Sequence, residues 1–170
     1  MKEKLLIVGA GIYGRLAKEI AESMKVFDKI AFVDDVAYPS IDRNDIVGTT
    51  ADIARLLSQY PCVVVAIGNG RVRQALLERL VQEGKGQIVN LISPFSYVSP
   101  SAKLGKGCIV EPMAVVHTEC EISDGCFVSA GAVINHCAVL EPYVHVDCNA
   151  IVTGYARVPT LTKVCSGKVF

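Results

Sequence analysis

From Val98 onward, every sixth residue of this chain is apolar. The series runs Val98, Leu104, Val110, Val116, Ile122, Val128, Ile134, Leu140, Val146, Val152, Val158, Val164 and Phe170, with no insertion breaking it. In a chain that is 51% hydrophobic, chance gives such a run roughly once in a thousand, counting all six phases. A second register lies two residues earlier and is small or modest: Ala102, Cys108, Ala114, Cys120, Cys126, Ala132, Ala138, Val144, Ala150 and Ala156. A six-residue unit of this kind is a short strand and a turn, one side of a triangular coil. The aliphatic residue fills the prism and the small one fits the corner. Coils then stack at the strand spacing of about 4.8 Å. The pattern predicts a left-handed parallel β-helix of about four coils over residues 94–170. A β-sandwich would show alternation and wider-spaced turns instead.

Residues 1–93 follow another rhythm. Strand-like runs at Leu5–Val8, Ile30–Val33, Cys62–Ile67 and Ile88–Ile92 alternate with helical spacing over Arg15–Met24 and Val72–Val81. Thr50 or Asp52 can cap a further helix ending near Leu57. Alternating strand and helix with apolar strands predicts a small Rossmann-like parallel α/β domain. The expected class is therefore α/β followed by β.

Lys+Arg and Asp+Glu both number 17, so the formal net charge is zero. No basic cluster points to nucleic acid or to an anionic membrane, and no apolar run is long enough to span one. The apolar start is too short for a signal peptide and runs into a glycine motif, so a cytoplasmic protein is expected. The seven cysteines form no C-x-x-C pair, and their number is odd. Neither a zinc ribbon nor a disulfide framework fits, and the six-residue register accounts for several as small buried side chains. No metal is expected.

Gly9-Ala10-Gly11-Ile12-Tyr13-Gly14 is a G-x-G-x-x-G between a strand and a helix, with Asp34 and Asp35 about twenty residues on. Such glycines permit a tight turn and approach of a phosphate to the helix N-terminus, and an acid at that distance commonly meets a ribose hydroxyl. Taken alone this suggests NAD, although the sheet is short and no dehydrogenase catalytic domain follows. The three histidines, His117, His136 and His145, all lie in the β-helix half. His136 falls just beyond the inward Ile134, where a side chain can point outward. Gly154 comes eighteen residues later, one coil above it. A glycine there leaves room beside the imidazole and an accessible N–H, so a substrate carbonyl could meet both a base and an oxyanion donor.

The segments IVGAGIYGRLAKEIAE, AFVDD, VVVAIGNGRVRQAL, SPSAKLGKGCIVEPMAVV and SAGAVINHCAVLEPYVHVDCNAIVTG resemble the bacterial sugar acyltransferases of the sialic acid O-acetyltransferase type, NeuD- and PglD-like. The resemblance covers nearly the whole chain. It implies an acetyl-CoA-dependent N- or O-acetyltransferase acting on a UDP-linked amino sugar or related surface-glycan precursor. Acetyl-CoA would be co-substrate, no cofactor would be tightly held, and the protein would be a homotrimer with sites between subunits. It further implies His136 as general base, Gly154 N–H as oxyanion donor, and His145, Gly154 and Gly167 as acetyl-CoA contacts. Gly9, Gly11, Tyr13, Gly14, Arg15, Asp34, Asp35, Gly68, Asn69 and Arg73 would line the nucleotide-sugar crevice. The chain departs from the family pattern in four ways. Tyr13 stands where His is common, Cys137 where an acid follows the base, and Ser129 where an Asn precedes it by seven residues. One or two coils of longer members are missing before Val158-Pro159 to Ser166-Gly167. These departures leave a non-catalytic nucleotide-sugar-binding scaffold as a second reading. A nicotinamide oxidoreductase is a third.

Overall fold

The computed structural model describes residues 3–36 and 45–170, which form two compact units, Met1–Val89 and Asn90–Phe170. In the first, five parallel strands are ordered β3-β2-β1-β4-β5. They are β1 (Glu3–Val8), β2 (Phe27–Val33), β3 (Ile46–Gly48), β4 (Cys62–Val65) and β5 (Gln87–Ile88). β1 lies between β2 and β4, and its Leu5, Leu6, Ile7 and Val8 are wholly buried. A strand covered on both faces can be apolar at every position. Helix α1 (Ile12–Met24) buries Gly14, Ala17, Ile20 and Ala21 at helical spacing, and it ends at Lys25 in the left-handed conformation. A one-turn 3₁₀ segment, Thr50–Asp52, carries a Thr49–Asp52 capping box and leads into the short α2 (Ile53–Leu56). The 3₁₀ turn is thus capped at Thr49, one residue before the expected Thr50, while Asp52, the other expected cap, is the N-cap residue of α2, without a side-chain cap bond there. Asp52 closes the box from the other side. Helix α3 (Gly70–Glu83) is capped by Asn69, whose side chain accepts from the N–H groups of Arg71 and Val72.

The second unit is the β-helix. Its strands are residue pairs from β6 (Leu91–Ile92) to β18 (Lys163–Val164), dealt in turn onto three parallel faces of four, four and five strands, a little over four coils. Both registers hold. The inward aliphatics from Val110 to Val164 and the small residues from Cys108 to Ala150 make one buried column. Cys108, Cys120 and Cys126 are wholly buried in it, and their thiols reach carbonyls at the same corner of the next coil. Phe170 departs from the register: it is 42% exposed, and its backbone pairs with Ile151 and Thr153. A third register was not legible. Gly107, Met113, Glu119, Gly125, Gly131, Cys137, Tyr143, Asn149, Tyr155, Leu161 and Gly167 are six apart and all have positive φ. Each corner from Gly107 onward therefore turns through one left-handed residue. Most are not glycine, so the stacked backbone hydrogen bonds must offset roughly 1 kcal/mol or more at each.

The expected strand Ile88–Ile92 divides into two. Ile88 pairs with Val63 in the α/β sheet, whereas Leu91–Ile92 pairs with Ile109–Val110 as the first rung of the β-helix. The units accordingly part between Val89 and Asn90, four residues before the expected division. Asn90 marks the change: its side chain accepts from Cys108 N–H and donates to the Gly105 carbonyl.

Candidate active site and nucleotide crevice

In the first unit, the carboxyl ends of β1, β2 and β4 open on a cavity of about 440 Å³. Val33, Ile67, Val72, Ala75 and Leu76 give it apolar walls, while Gly9, Asp34, Asp35, Thr50 and Arg71 supply backbone and polar groups. Asp34 Oδ2 accepts the Ala10 N–H at 2.6 Å, and its Oδ1 accepts that of Val36. Asp35 is held by the N–H and hydroxyl of Thr50 at 2.8 to 3.1 Å. Both carboxylates are thus oriented by the protein and keep lone pairs for a ligand hydroxyl.

The glycine motif serves mainly to let loops approach. Gly9 has φ +103°, and a Cβ there would lie 2.8 Å from Ile67 Cγ1. A Cβ on Gly14 would collide with the Gly9 carbonyl, and one on Gly68 with the Tyr13 ring. Gly11 is the N-cap of α1, with no side-chain cap over the first turn. Of the residues expected in the crevice, Gly9, Asp34 and Asp35 line the cavity. Gly11, Tyr13, Gly14, Arg15, Gly68 and Asn69 lie on the flanking loops and helix starts. Arg73 requires correction. It is wholly buried, and its guanidinium donates to the carbonyls of Ile67 and Gly68. It shapes the β4–α3 loop and is not among the residues that line the cavity. The cation on the cavity wall is Arg71. Both arginines follow Gly68-Asn69-Gly70, and only the helix phase, fixed by the Asn69 cap, separates them.

In the β-helix, His136 is exposed on the corner after β13 (Val133–Ile134). A Cβ on Gly154 would stand 2.9 Å from His136 Cε1 and 3.0 Å from Nε2, so only glycine lets the imidazole lie where it does. Tyr155 packs against the ring edge-on at 5.1 Å, and its N–H holds the His136 carbonyl at 3.1 Å. Among the described residues, the Gly154 N–H has no backbone acceptor. Among the described residues, no carboxylate is hydrogen-bonded to His136. Asn135 Oδ1 caps the backbone N–H of His136, and Glu119 accepts the Cys137 thiol at 3.6 Å. The corner therefore offers an accessible base beside an accessible N–H donor.

His145 is elsewhere. It projects from β15 (His145–Val146) on another face and is 3% exposed. Phe127 packs edge-on against it, and Ser129 and Asp147 approach its Nε2. One chain does not bring it to the His136 corner. Gly167 is at a turn with open space around it, on the corner that follows the His145 face. His117 is exposed.

Comparison with known proteins bears on this arrangement. The PglD N-terminal domain family matches residues 4–80. The UDP-N-acetylbacillosamine N-acetyltransferase of Bacillus subtilis (strain 168) is 30% identical over 112 residues, 64% of this chain and 51% of that protein. The match thus spans about half the length of that curated relative. The acetyltransferase domain of PglB from Neisseria gonorrhoeae FA1090, solved in complex with acetyl coenzyme A, is 30% identical. It has a TM-score of 0.93 and covers 99% of this chain and 82% of that one. PerB from Caulobacter crescentus, solved with CoA and GDP-perosamine, has a TM-score of 0.78 at 24% identity. It covers 98% of this chain and 88% of its own, a likeness of fold. Fold and site together define a hexapeptide-repeat protein with a Rossmann-like N-terminal unit. The chain belongs to the bacterial sugar acyltransferase family of the PglD and NeuD type.

Proposed function

We propose that this protein transfers the acetyl group of acetyl-CoA directly to the amine of a nucleotide-linked amino sugar, with a UDP-sugar as the favoured class. One observation carries the chemistry: an accessible imidazole packed against a glycine with an unengaged N–H. His136 removes a proton as the acceptor nitrogen attacks the thioester carbonyl, and the Gly154 N–H stabilises the developing oxyanion. The tetrahedral intermediate then collapses to the amide and releases the CoA thiol, which takes a proton from His136. The acetyl-CoA complex of the PglB domain and the substrate named for the Bacillus relative support this choice of donor and acceptor. In the first unit, the apolar cavity walls suit a flat base, Asp34 and Asp35 suit ribose hydroxyls, and Arg71 supplies a cation for the diphosphate.

The active form is a homotrimer. The outward residues of one β-helix face, Tyr97, Val115, Val133, Ile151 and Val169, form an apolar ladder one coil apart. Tyr97 and Val169 are 55% and 66% exposed. Packing such a face on its copy buries surface that a small prism leaves wet. His145 lies on a different face from His136, so an acetyl-CoA reaching both would lie between subunits. Cys137, which stands where an acid would follow the base, favours the second reading, a nucleotide-sugar-binding scaffold. Thiol release from acetyl-CoA with a panel of UDP- and GDP-amino sugars separates the two. Acceptor-dependent thiol release supports the enzyme, and sugar binding with no release from any acyl-CoA supports the scaffold.

A further inference from the structure

The β-helix buries a second line of polar groups that the proposed chemistry does not use. Glu111, Ser129 and Asp147 follow the inward Val110, Val128 and Val146 and stack one coil apart beside His145. Glu111 is 7%, Ser129 1% and His145 3% exposed. The Ser129 hydroxyl donates to Glu111 Oε1 at 3.2 Å and lies 3.1 Å from His145 Nε2. The other Glu111 oxygen accepts the Ala130 N–H at 3.0 Å. A hydroxyl has one hydrogen, and an ionised carboxylate can only accept. With Glu111 ionised, the serine hydrogen is committed to it, so His145 Nε2 must carry a proton and donate to the serine oxygen. With Glu111 protonated, its Oε2 is still an acceptor for Ala130, so the proton sits on Oε1 and donates to Ser129. The hydroxyl then turns to Nε2, and the imidazole proton moves to Nδ1.

We propose that Glu111 is a positioning residue that sets the tautomer of His145 through the Ser129 hydroxyl, Nε2–H when ionised and Nδ1–H when protonated. The surroundings are those such a relay needs. Burial pushes the Glu111 carboxyl up, and the Asp147 charge adds to this, against the hydrogen bonds from Ala130 and Ser129. That moves the change of state toward neutral pH. The other groups facing the line are Asp147, Lys163 and Cys148. Asp147 Oδ1 is 4.0 Å from His145 Nε2, and Lys163 Nζ holds its Oδ2 at 2.9 Å, so Asp147 stays ionised and favours the Nε2–H form. The Cys148 thiol is pushed up by burial and by the Glu111 and Asp147 charges, and so stays neutral. The effect on acyl-donor binding rests on the role proposed above for His145. The tautomer does not.

The test is proton–nitrogen correlation of ¹⁵N-histidine-labelled full-length protein at mildly alkaline pH. The wild type should show His145 as Nε2–H. In Glu111→Gln, Ala130 N–H fixes the amide oxygen and turns the NH₂ toward Ser129, so His145 should appear as Nδ1–H. Should that variant not fold, Glu111→Ala frees the hydroxyl for Nε2 and should move His145 the same way. Adding Glu111→Gln to Ser129→Ala should change nothing further. An Nδ1–H wild type, an unmoved tautomer in Glu111→Gln, or an equal shift without Ser129 overturns the relay. Acetyl-CoA titration of the same samples separates the two ideas. Unchanged affinity beside a changed tautomer counts against His145 as a donor contact and leaves the relay standing.

Discussion

Gly154 shows how narrowly a single residue controls this site. Its φ is not positive, so alanine is allowed by the backbone, but the added methyl would lie 2.9 to 3.0 Å from the His136 ring. Gly154→Ala should keep the fold and the sugar affinity while lowering kcat about a hundredfold, the usual weight of a well-placed base. Steady-state kinetics with a thermal melt checks it, and an unchanged kcat would mean that the ring can move aside. Asp147 makes a prediction about pH. Burial alone would raise its carboxyl, but hydrogen bonds from Lys163 and the Cys148 N–H, with the charges of His145 and Lys163, hold it down to about 2. A lowered carboxyl pKa gives stability that is full above the ordinary carboxylate range and is lost as pH falls toward 2. Urea midpoints should therefore fall over that window, with a shallower fall in Asp147→Asn. His136 and Gly154 were legible because eighteen-residue spacing is stacking in a three-sided coil. Glu111 was not. Its corner position reads as solvent-facing, and only the stacked Ser129 and Ala130 reveal it as buried.

Regular elements were the easiest to read where the physics repeats. Ile134 sits in a column with a uniform period, so the sequence alone names it as interior, and it is wholly buried. Ile134→Asp places a carboxylate in the prism without a partner, which costs several kcal/mol. The β-helix should melt well below the wild type or fail to form, as circular dichroism would show. The expected boundaries failed where two periods meet. Ile88–Ile92 reads as one strand, and the polar Asn90 in its middle, where its halves part to different sheets, is too slight a signal to divide it. β3 was missed because Ile46–Gly48 is three residues long and only half-buried. In the glycine motif the type of element was legible but the cause was not. Gly14 is already required by the Gly9 carbonyl, so a valine there disrupts the loop whatever binds beside it.

At the scale of the molecule, the chain joins a unit with a cavity of about 440 Å³ to a unit that carries the proposed acyl-transfer corner, and no described helix is long and apolar enough to cross a membrane. The apolar ladder beside the His136 corner argues for assembly. Light scattering should return three copies per particle, and Val133→Lys, which puts a charge in mid-ladder, should return monomers with lost turnover and intact sugar binding. A monomeric wild type at micromolar concentration would remove the intersubunit site. The central claim is that His136 is the base of an acetyl transfer to a sugar nucleotide. The most direct measurement is thiol release by His136→Ala beside calorimetry of the same protein with the sugar nucleotide. The account predicts turnover reduced about a hundredfold or more with the sugar dissociation constant nearly unchanged. Wild-type turnover in the alanine variant would contradict it.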